Sequence, residues 1–248
     1  MAVKIFNSDV EIENAPFFNV ENFKDHLVSN NFVYVSNAID VNNIYLNEAI
    51  NEFKQDDNPL NRLKESYKHQ KSFHFDKHLQ LYSFLKNSPV VNGLKALLSN
   101  PIISNHAWIR YSKKTLGTYP HADRFFISPK SFFYSVWIAL YDLKIQNGVL
   151  CAVKPGRSNE VVATYLERIK ESYKVANQTT SWQEARLDIT PDKISPVWIA
   201  NDMKKGDAII FRDDLVHGTV NGNEGERLSI DFRVTDGNLD FDTRWFIR

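Results

Sequence analysis

His121-Ala122-Asp123 places an imidazole and a carboxylate two residues apart. On extended backbone successive side chains alternate faces, so His121 and Asp123 are expected to point the same way. A distant second histidine would complete a two-His-one-carboxylate set, which holds non-haem Fe(II) on one face and leaves coordination positions open on the other. His217 is the natural third member. The chain has seven histidines, so such a spacing can arise by accident, and His74-Phe75-Asp76 repeats it. That second copy lies among Lys71, Lys77 and His78 in a stretch read as helical, where residues i and i+2 do not share a face.

The C-terminal third strengthens the first copy. Gly206-Asp207-Ala208-Ile209-Ile210-Phe211, then Asp213-Asp214-Leu215-Val216-His217-Gly218-Thr219, sets His217 just after a strand and a turn. Arg227-Leu228-Ser229 opens the last strong strand. There Arg227 and Ser229 would share a face, and a guanidinium with a hydroxyl can grip one carboxylate. A guanidinium inside a barrel needs an anion, because an unpaired buried charge is costly. The distal carboxylate of 2-oxoglutarate suits that role.

These groups need a scaffold that brings distant strands together. From about residue 102, short aromatic and β-branched runs recur between turn signals: Ile102-Ile103, Ala107 to Tyr111, Phe132 to Leu140, Val149 to Val153, Ala208 to Phe211 and Leu228 to Val234. Strands so spaced predict a barrel or sandwich. Before them, residues 1–100 read as mostly helical. Val20, Phe23, Leu27 and Val28 fall on one face of a helix over 16–29, Phe32-Val33-Tyr34-Val35 reads as a strand, and Val41 to Phe53 returns to helical spacing. Leucines among lysines over 60–100 predict further helices, broken near Ser88-Pro89. Residues 158–201 form a long polar excursion, with a helix expected over Val161 to Tyr173, and read as a lid or insertion. The expected whole is one domain over 1–248, with its strands in 102–157 and 202–235.

Composition narrows the function classes. Thirty Lys+Arg balance thirty Asp+Glu, so no global field recruits nucleic acid or an anionic membrane. The single cysteine, Cys151, excludes an internal disulfide and a cysteine-built zinc site, and its apolar surroundings mark it as a buried structural residue. The start, Met1-Ala-Val-Lys-Ile-Phe-Asn-Ser, has no signal-peptide core, and no stretch approaches the roughly 18 apolar residues of a membrane span. A soluble cytoplasmic protein acting on a small-molecule substrate is expected.

Together these segments resemble the phytanoyl-CoA dioxygenase-like family of Fe(II)/2-oxoglutarate oxygenases. The resemblance is carried by the leader Phe23 to Val35, His121-Ala-Asp123, Val136-Trp-Ile-Ala-Leu140, Asn147-Gly-Val-Leu150 leading to Pro155-Gly156, the Gly206 to Gly218 segment and Arg227-x-Ser229. It implies a mainly β fold with flanking α-helices, built on a double-stranded β-helix, the jelly-roll or cupin-like core. It further implies His121, Asp123 and His217 as iron ligands and catalytic centre, Arg227 and Ser229 as the 2-oxoglutarate clamp, and Thr219 as a hydroxyl aimed at that cosubstrate, with O2 as the third reactant. Related halogenases resemble this pattern with Gly or Ala at the Asp123 position, so the carboxylate implies oxygen transfer. Where the family commonly continues Pro-Gly-Ser-His, this chain has Pro155-Gly156-Arg157-Ser158.

Arg110, Tyr111, Arg124 and Arg233 are candidates for the substrate mouth, while Trp108, Phe125, Phe126 and Trp137 read as core. The arginines, with Arg157, favour a carboxylated, phosphorylated or otherwise polar metabolite. Hydroxylation of an unactivated C–H in small-molecule or natural-product biosynthesis is the expected activity. An acyl-CoA or carrier-bound substrate, desaturation or cyclisation at the same centre, and a metal-binding cupin-like protein without 2-oxoglutarate are the alternatives.

Overall fold

The computed structural model describes residues 1–62, 64–124, 132–154, 163–164, 167, 190–195, 197–240 and 245–246. Two sheets are built from thirteen strands among these residues. The smaller has five strands in the order β1 (Ala2–Ile5), β2 (Ser8–Glu13), β10 (Val197–Ile199), β9 (Leu150–Val153), β12 (His217–Thr219). The larger runs β3 (Phe17–Phe18), β4 (Phe32–Val35), β11 (Ala208–Arg212), β8 (Tyr134–Ala139), β13 (Glu226–Asp236), β7 (His106–Lys113), β5 (Tyr67–His74), with β6 (Pro101–Ile103) also on β13. All pairings are antiparallel except β2 with β10 and β3 with β4. Two facing, mostly antiparallel sheets closed by crossovers make the jelly-roll core that was expected.

The period-2 alternation of the central strands divides two cores. On β13, Leu228, Ile230, Phe232 and Val234 face a layer of helices α1 (Lys24–Asn30), α2 (Ile44–Gln55), α4 (Leu79–Lys86) and α5 (Pro89–Leu94), together with Ile109, Val136, Ile138 and Ile210; the short α3 (Pro59–Arg62) follows α2 in the chain. The opposite face of the large sheet looks toward the small one, and Trp137, Ile209 and Phe211 pack there against Ile12, Ala152 and Trp198. Cys151 is fully buried in this inter-sheet core, which pushes its thiol pKa above the usual range. The same inward face of β13 carries Arg227, Ser229, Asp231 and Arg233. These polar residues lie where a structural strand would place a second apolar row, and they locate the site.

Three expectations need correction. Residues 67–74, read as helix, form β5, whose eight residues pair with β7 from Tyr67↔Lys113 to His74↔His106. Helix 16–29 begins only at Lys24; Phe17–Phe18 is a strand, and Val28 is exposed. The polar excursion ends earlier than 201: after the short α6 (Pro191–Ile194), Val197–Ile199 is a core strand between β2 and β9. Of the helix expected over Val161 to Tyr173 only residues 163–164 and 167 are described, and they are helical; the segment Pro155 to Ser158, and Phe125 and Phe126, lie outside the described residues. Among the described residues no helix is long and apolar enough to cross a membrane.

Candidate active site

His121, Asp123 and His217 converge: one ligand atom from each lies within 4.8 Å of the others. The backbone brings them together by a route other than the strand expected from spacing. His121 forms an isolated bridge with His217, each N–H donating to the other's carbonyl at 2.8 and 2.9 Å, and the chain turns at Asp123. The loop before His121 is tied down at Gly117 by a side chain and by close backbone packing. Asn221 accepts from Gly117 N at 2.8 Å, and a Cβ on Gly117 would sit 1.9 Å from the Thr219 carbonyl oxygen, so this close approach requires glycine.

Each ring is oriented by its far nitrogen. His121 Nδ1 donates to the Tyr119 carbonyl at 2.8 Å and His217 Nδ1 to the Leu215 carbonyl at 3.0 Å. That fixes the tautomer and leaves both Nε2 lone pairs facing Asp123 Oδ1, at 3.8 and 3.6 Å. Burial, and then the neighbouring His217, depress the His121 pKa to about 3; burial also lowers that of His217. Both rings are neutral near pH 7, the form a cation requires.

Asp123 divides its oxygens. Oδ2 accepts from Ser135 Oγ at 2.5 Å and pairs with Arg233 Nη2 at 2.9 Å, while Oδ1 faces the imidazoles. Burial alone would raise the Asp123 pKa, but Arg233, the two imidazoles and Ser135 outweigh it and hold the carboxyl below its ordinary range. Ser135 and Arg233 stand directly opposite on β8 and β13, so the register itself builds this support. Ser135→Ala is therefore expected to weaken divalent-metal binding about 10- to 100-fold. Equilibrium competition for Mn(II) against a chelator measures it, and an unchanged affinity would remove Ser135 from the site.

From Asp123 a line of alternating charges crosses the inward face. Arg233 Nη1 donates to Asp231 Oδ2 at 2.5 Å, Arg110 Nε to Asp231 Oδ1 at 2.6 Å, and Arg110 Nη1 to Gln70 Oε1 at 2.8 Å. Two arginines and two aspartates neutralise one another. Arg227 differs. It is buried and, among the described residues, donates only to the Gly148 carbonyl at 2.6 Å and leaves Nε without a partner, as is the hydroxyl of fully buried Ser229 beside it. Burial, and then Arg110, lower the Arg227 pKa to about 10, so it remains charged at neutral pH. A buried cation and an orphaned hydroxyl side by side suit a carboxylate.

Not every expected site residue arrives there. Tyr111 turns to the helix side and packs with Tyr67, because it follows Arg110 on an alternating strand; it cannot line the mouth. Arg124, two-fifths exposed, reaches buried Asp213 at 3.7 Å and Asp214 at 4.0 Å. The Thr219 hydroxyl accepts from Thr118 N at 2.6 Å and donates to Thr118 Oγ1 at 3.1 Å, so it secures the loop leading to His121. Trp108, expected in the core, stands half-buried on the inward face against Arg110, whereas Trp137 is buried as expected. His74 lies at the end of β5, and among the described residues only His121, Asp123 and His217 form a cluster able to hold a metal.

The sequence profile of the phytanoyl-CoA dioxygenase (PhyH) family matches residues 40–227, from the approach to α2 through the metal-competent cluster to Arg227. The chain belongs to the phytanoyl-CoA dioxygenase family. The search of curated proteins finds no match. Among solved structures, the carbocyclase SnoK from nogalamycin biosynthesis, named as non-heme and alpha-ketoglutarate dependent, superposes with a TM-score of 0.58 at 16% identity, covering 90% of this chain and 88% of its own. The epimerase SnoN from the same biosynthesis gives 0.57 at 15%, covering 88% and 82%. HygX from Streptomyces hygroscopicus, solved with nickel and 2-oxoglutarate, gives 0.55 at 13%, covering 86% of each chain. At these identities the likeness establishes the shared fold, which is the jelly roll described above.

Proposed function

We propose that this member of the phytanoyl-CoA dioxygenase family is a mononuclear non-haem Fe(II), 2-oxoglutarate-dependent oxygenase that hydroxylates an unactivated C–H of a small metabolite. The observation that carries the proposal is the pairing of a neutral-imidazole and carboxylate cluster with a buried, unsatisfied Arg227 and Ser229 on the same sheet face. The donor set fits Fe(II): two Nε2 atoms and one carboxylate oxygen, each held from behind. Bound there with 2-oxoglutarate and O2, the iron supplies the oxidising chemistry, with succinate and CO2 as coproducts.

The chain's own residues then have distinct tasks. His121, Asp123 and His217 hold the metal on one side. Ser135 and Arg233 keep Asp123 ionised and aimed. Arg227 and Ser229 fix the far carboxylate of 2-oxoglutarate and so set its orientation, with Thr219 bracing the loop behind. Arg110 and Arg233 with Asp231 form the wall on which a substrate rests, and Arg124 stands at the rim. None need act as a general base.

SnoN has been solved with Fe3+, alpha ketoglutarate and nogalamycin RO, and HygX with nickel, 2-oxoglutarate and hygromycin B. These names support natural-product metabolism and a small-molecule partner for the present chain. Because SnoN is an epimerase and SnoK a carbocyclase, epimerisation or ring closure at the same centre is the second reading. A screen of metabolite pools for succinate release separates them. A product heavier by one oxygen is expected; a product lighter by two hydrogens marks ring closure or desaturation, and one of unchanged mass epimerisation. No succinate above the enzyme-free control from any pool would overturn the oxygenase reading.

A further inference from the structure

A cavity of about 370 Å³ opens beside the wall just described, lined by Ser72, His74, Asn105, His106, Trp108 and Trp245. That volume is of the size that holds a small organic ligand. Its position follows from register. Ser72 pairs with Trp108 and His74 with His106, while Trp108 is also opposite Asp231 on β13. These residues therefore continue the inward row of Arg227, Ser229, Asp231 and Arg233. Arg233 links Asp123 to Asp231, and Arg110, bonded to Asp231, lies over the Trp108 ring of the cavity wall at 5.3 Å from its centroid.

The walls have a definite chemistry. Trp108 and Trp245 flank the His106 ring at centroid distances of 5.4 Å each, and His74 lies 5.5 Å from it. Indole and imidazole faces offer flat, polarisable surface. Ser72 adds a hydroxyl with no hydrogen-bond partner. Among the described residues no free charge borders the space: Arg110 and Arg233 are taken by Asp231 and Asp123. Burial, and then the Arg233 charge, depress His106 to about 4, so its ring is neutral at pH 7. This narrows the carboxylated, phosphorylated or otherwise polar metabolite that the arginines favoured to an uncharged polar one, because an anion here would meet guanidiniums already neutralised by carboxylates.

We infer that this cavity binds the substrate, and that the part it receives is an uncharged ring carrying hydrogen-bonding groups at its edge, stacked on Trp108 and Trp245. The inference rests on the assignment of His121, Asp123 and His217 as the catalytic metal centre. The ring can be a sugar or an aromatic system, since both present a flat face to indole and polar atoms at the rim.

Two pairs of probes test it on the full chain without metal: phenyl β-D-glucoside against phenyl β-D-glucuronide, and 2-naphthol against 2-naphthoate. The neutral member of at least one pair is expected to bind with a Kd of about 1 mM or below, at least tenfold tighter than its anionic partner, by calorimetry and tryptophan quenching. Which pair responds separates sugar from aromatic. Trp108→Leu, and independently Trp245→Leu from a different segment, should each weaken that probe roughly threefold to tenfold. Binding of neither pair, anions bound as tightly, or affinity unchanged in both folded variants would overturn the inference. Mn(II) affinity is measured separately, with and without Asp123→Ala. Mn(II) bound without probe bound defeats the cavity alone; probe bound without Mn(II) bound defeats the metal centre. With both bound, Mn(II) should broaden the probe's proton signals, and unbroadened signals would place the probe away from the centre and overturn the inference.

Discussion

Asp123→Ala and His217→Ala should each reduce substrate-linked succinate formation to background and lower metal affinity by more than about 100-fold. Even partners that only orient a ligand contribute 10- to 100-fold in affinity, so removing a ligand itself must exceed that. The two substitutions differ in their side effects. His217→Ala removes one Nε2 and the ring packed, tilted, 4.4 Å from Phe211, but leaves Asp123 and Arg233 paired. Asp123→Ala strips Arg233 of one of its two carboxylates and leaves Ser135 without its acceptor, so a loss of stability on the order of 1–3 kcal/mol accompanies the loss of metal. Asp123→Asn retains the shape and most of that stability while losing the anionic ligand, and it should fail in turnover as Asp123→Ala does. Full turnover in both Asp123→Ala and His217→Ala would remove the cluster from the chemistry. His74→Ala, at the other His-x-Asp, should leave metal affinity unchanged.

Arg227→Ala should raise the apparent KM for 2-oxoglutarate about 10- to 100-fold while affecting kcat at saturation much less. A charge-assisted hydrogen bond to a carboxylate contributes roughly 1.5–3 kcal/mol, and Arg227 is the buried cation beside Ser229. The protein without cosubstrate should tolerate the change. Burying an unpaired guanidinium is unfavourable, so Arg227→Met is expected to unfold at a urea midpoint no lower than the parent, and 2-oxoglutarate should stabilise the parent but not the variant. An unchanged KM would take Arg227 out of the clamp and return Ser229 to the status of a buried hydroxyl.

How far the sequence disclosed this site depends on the strand. β8 and β11 were readable because aromatic and β-branched residues mark both faces of a buried strand, and β13 because Leu228, Ile230, Phe232 and Val234 alternate with polar residues. β5 was hidden by the feature that gives it a role. Its inward residues Lys68, Gln70, Ser72 and His74 are polar because they border the site, so a lysine-rich stretch imitated a helix surface. β2 alternates buried and exposed residues over Ser8–Glu13, a period-2 signal that the sequence carries. β10 has three residues and no period to detect.

The three proposed ligands were legible from type and spacing, although the geometry behind them was not an extended strand but a bridge and a turn at Asp123. Ser135 was illegible: its role depends on the β8–β13 register, which sets it opposite Arg233. Asp231 and Arg233 could be placed on one face with Arg227 by alternation, but only the structure commits them to each other. The same alternation excluded Tyr111 once Arg110 was assigned inward. The arginines favoured a carboxylated, phosphorylated or otherwise polar metabolite from the sequence, and their pairing along the wall supports the inference of an uncharged polar one.

The most direct test of the central assignment is an anaerobic titration of the metal-free protein with Fe(II) and 2-oxoglutarate, followed by visible absorption. A weak charge-transfer band that grows to one equivalent of each, requires both, vanishes in Asp123→Ala and needs far more 2-oxoglutarate in Arg227→Ala is the predicted result. A protein that binds neither, or an identical band in Asp123→Ala, would contradict the assignment of His121, Asp123 and His217 as the iron centre.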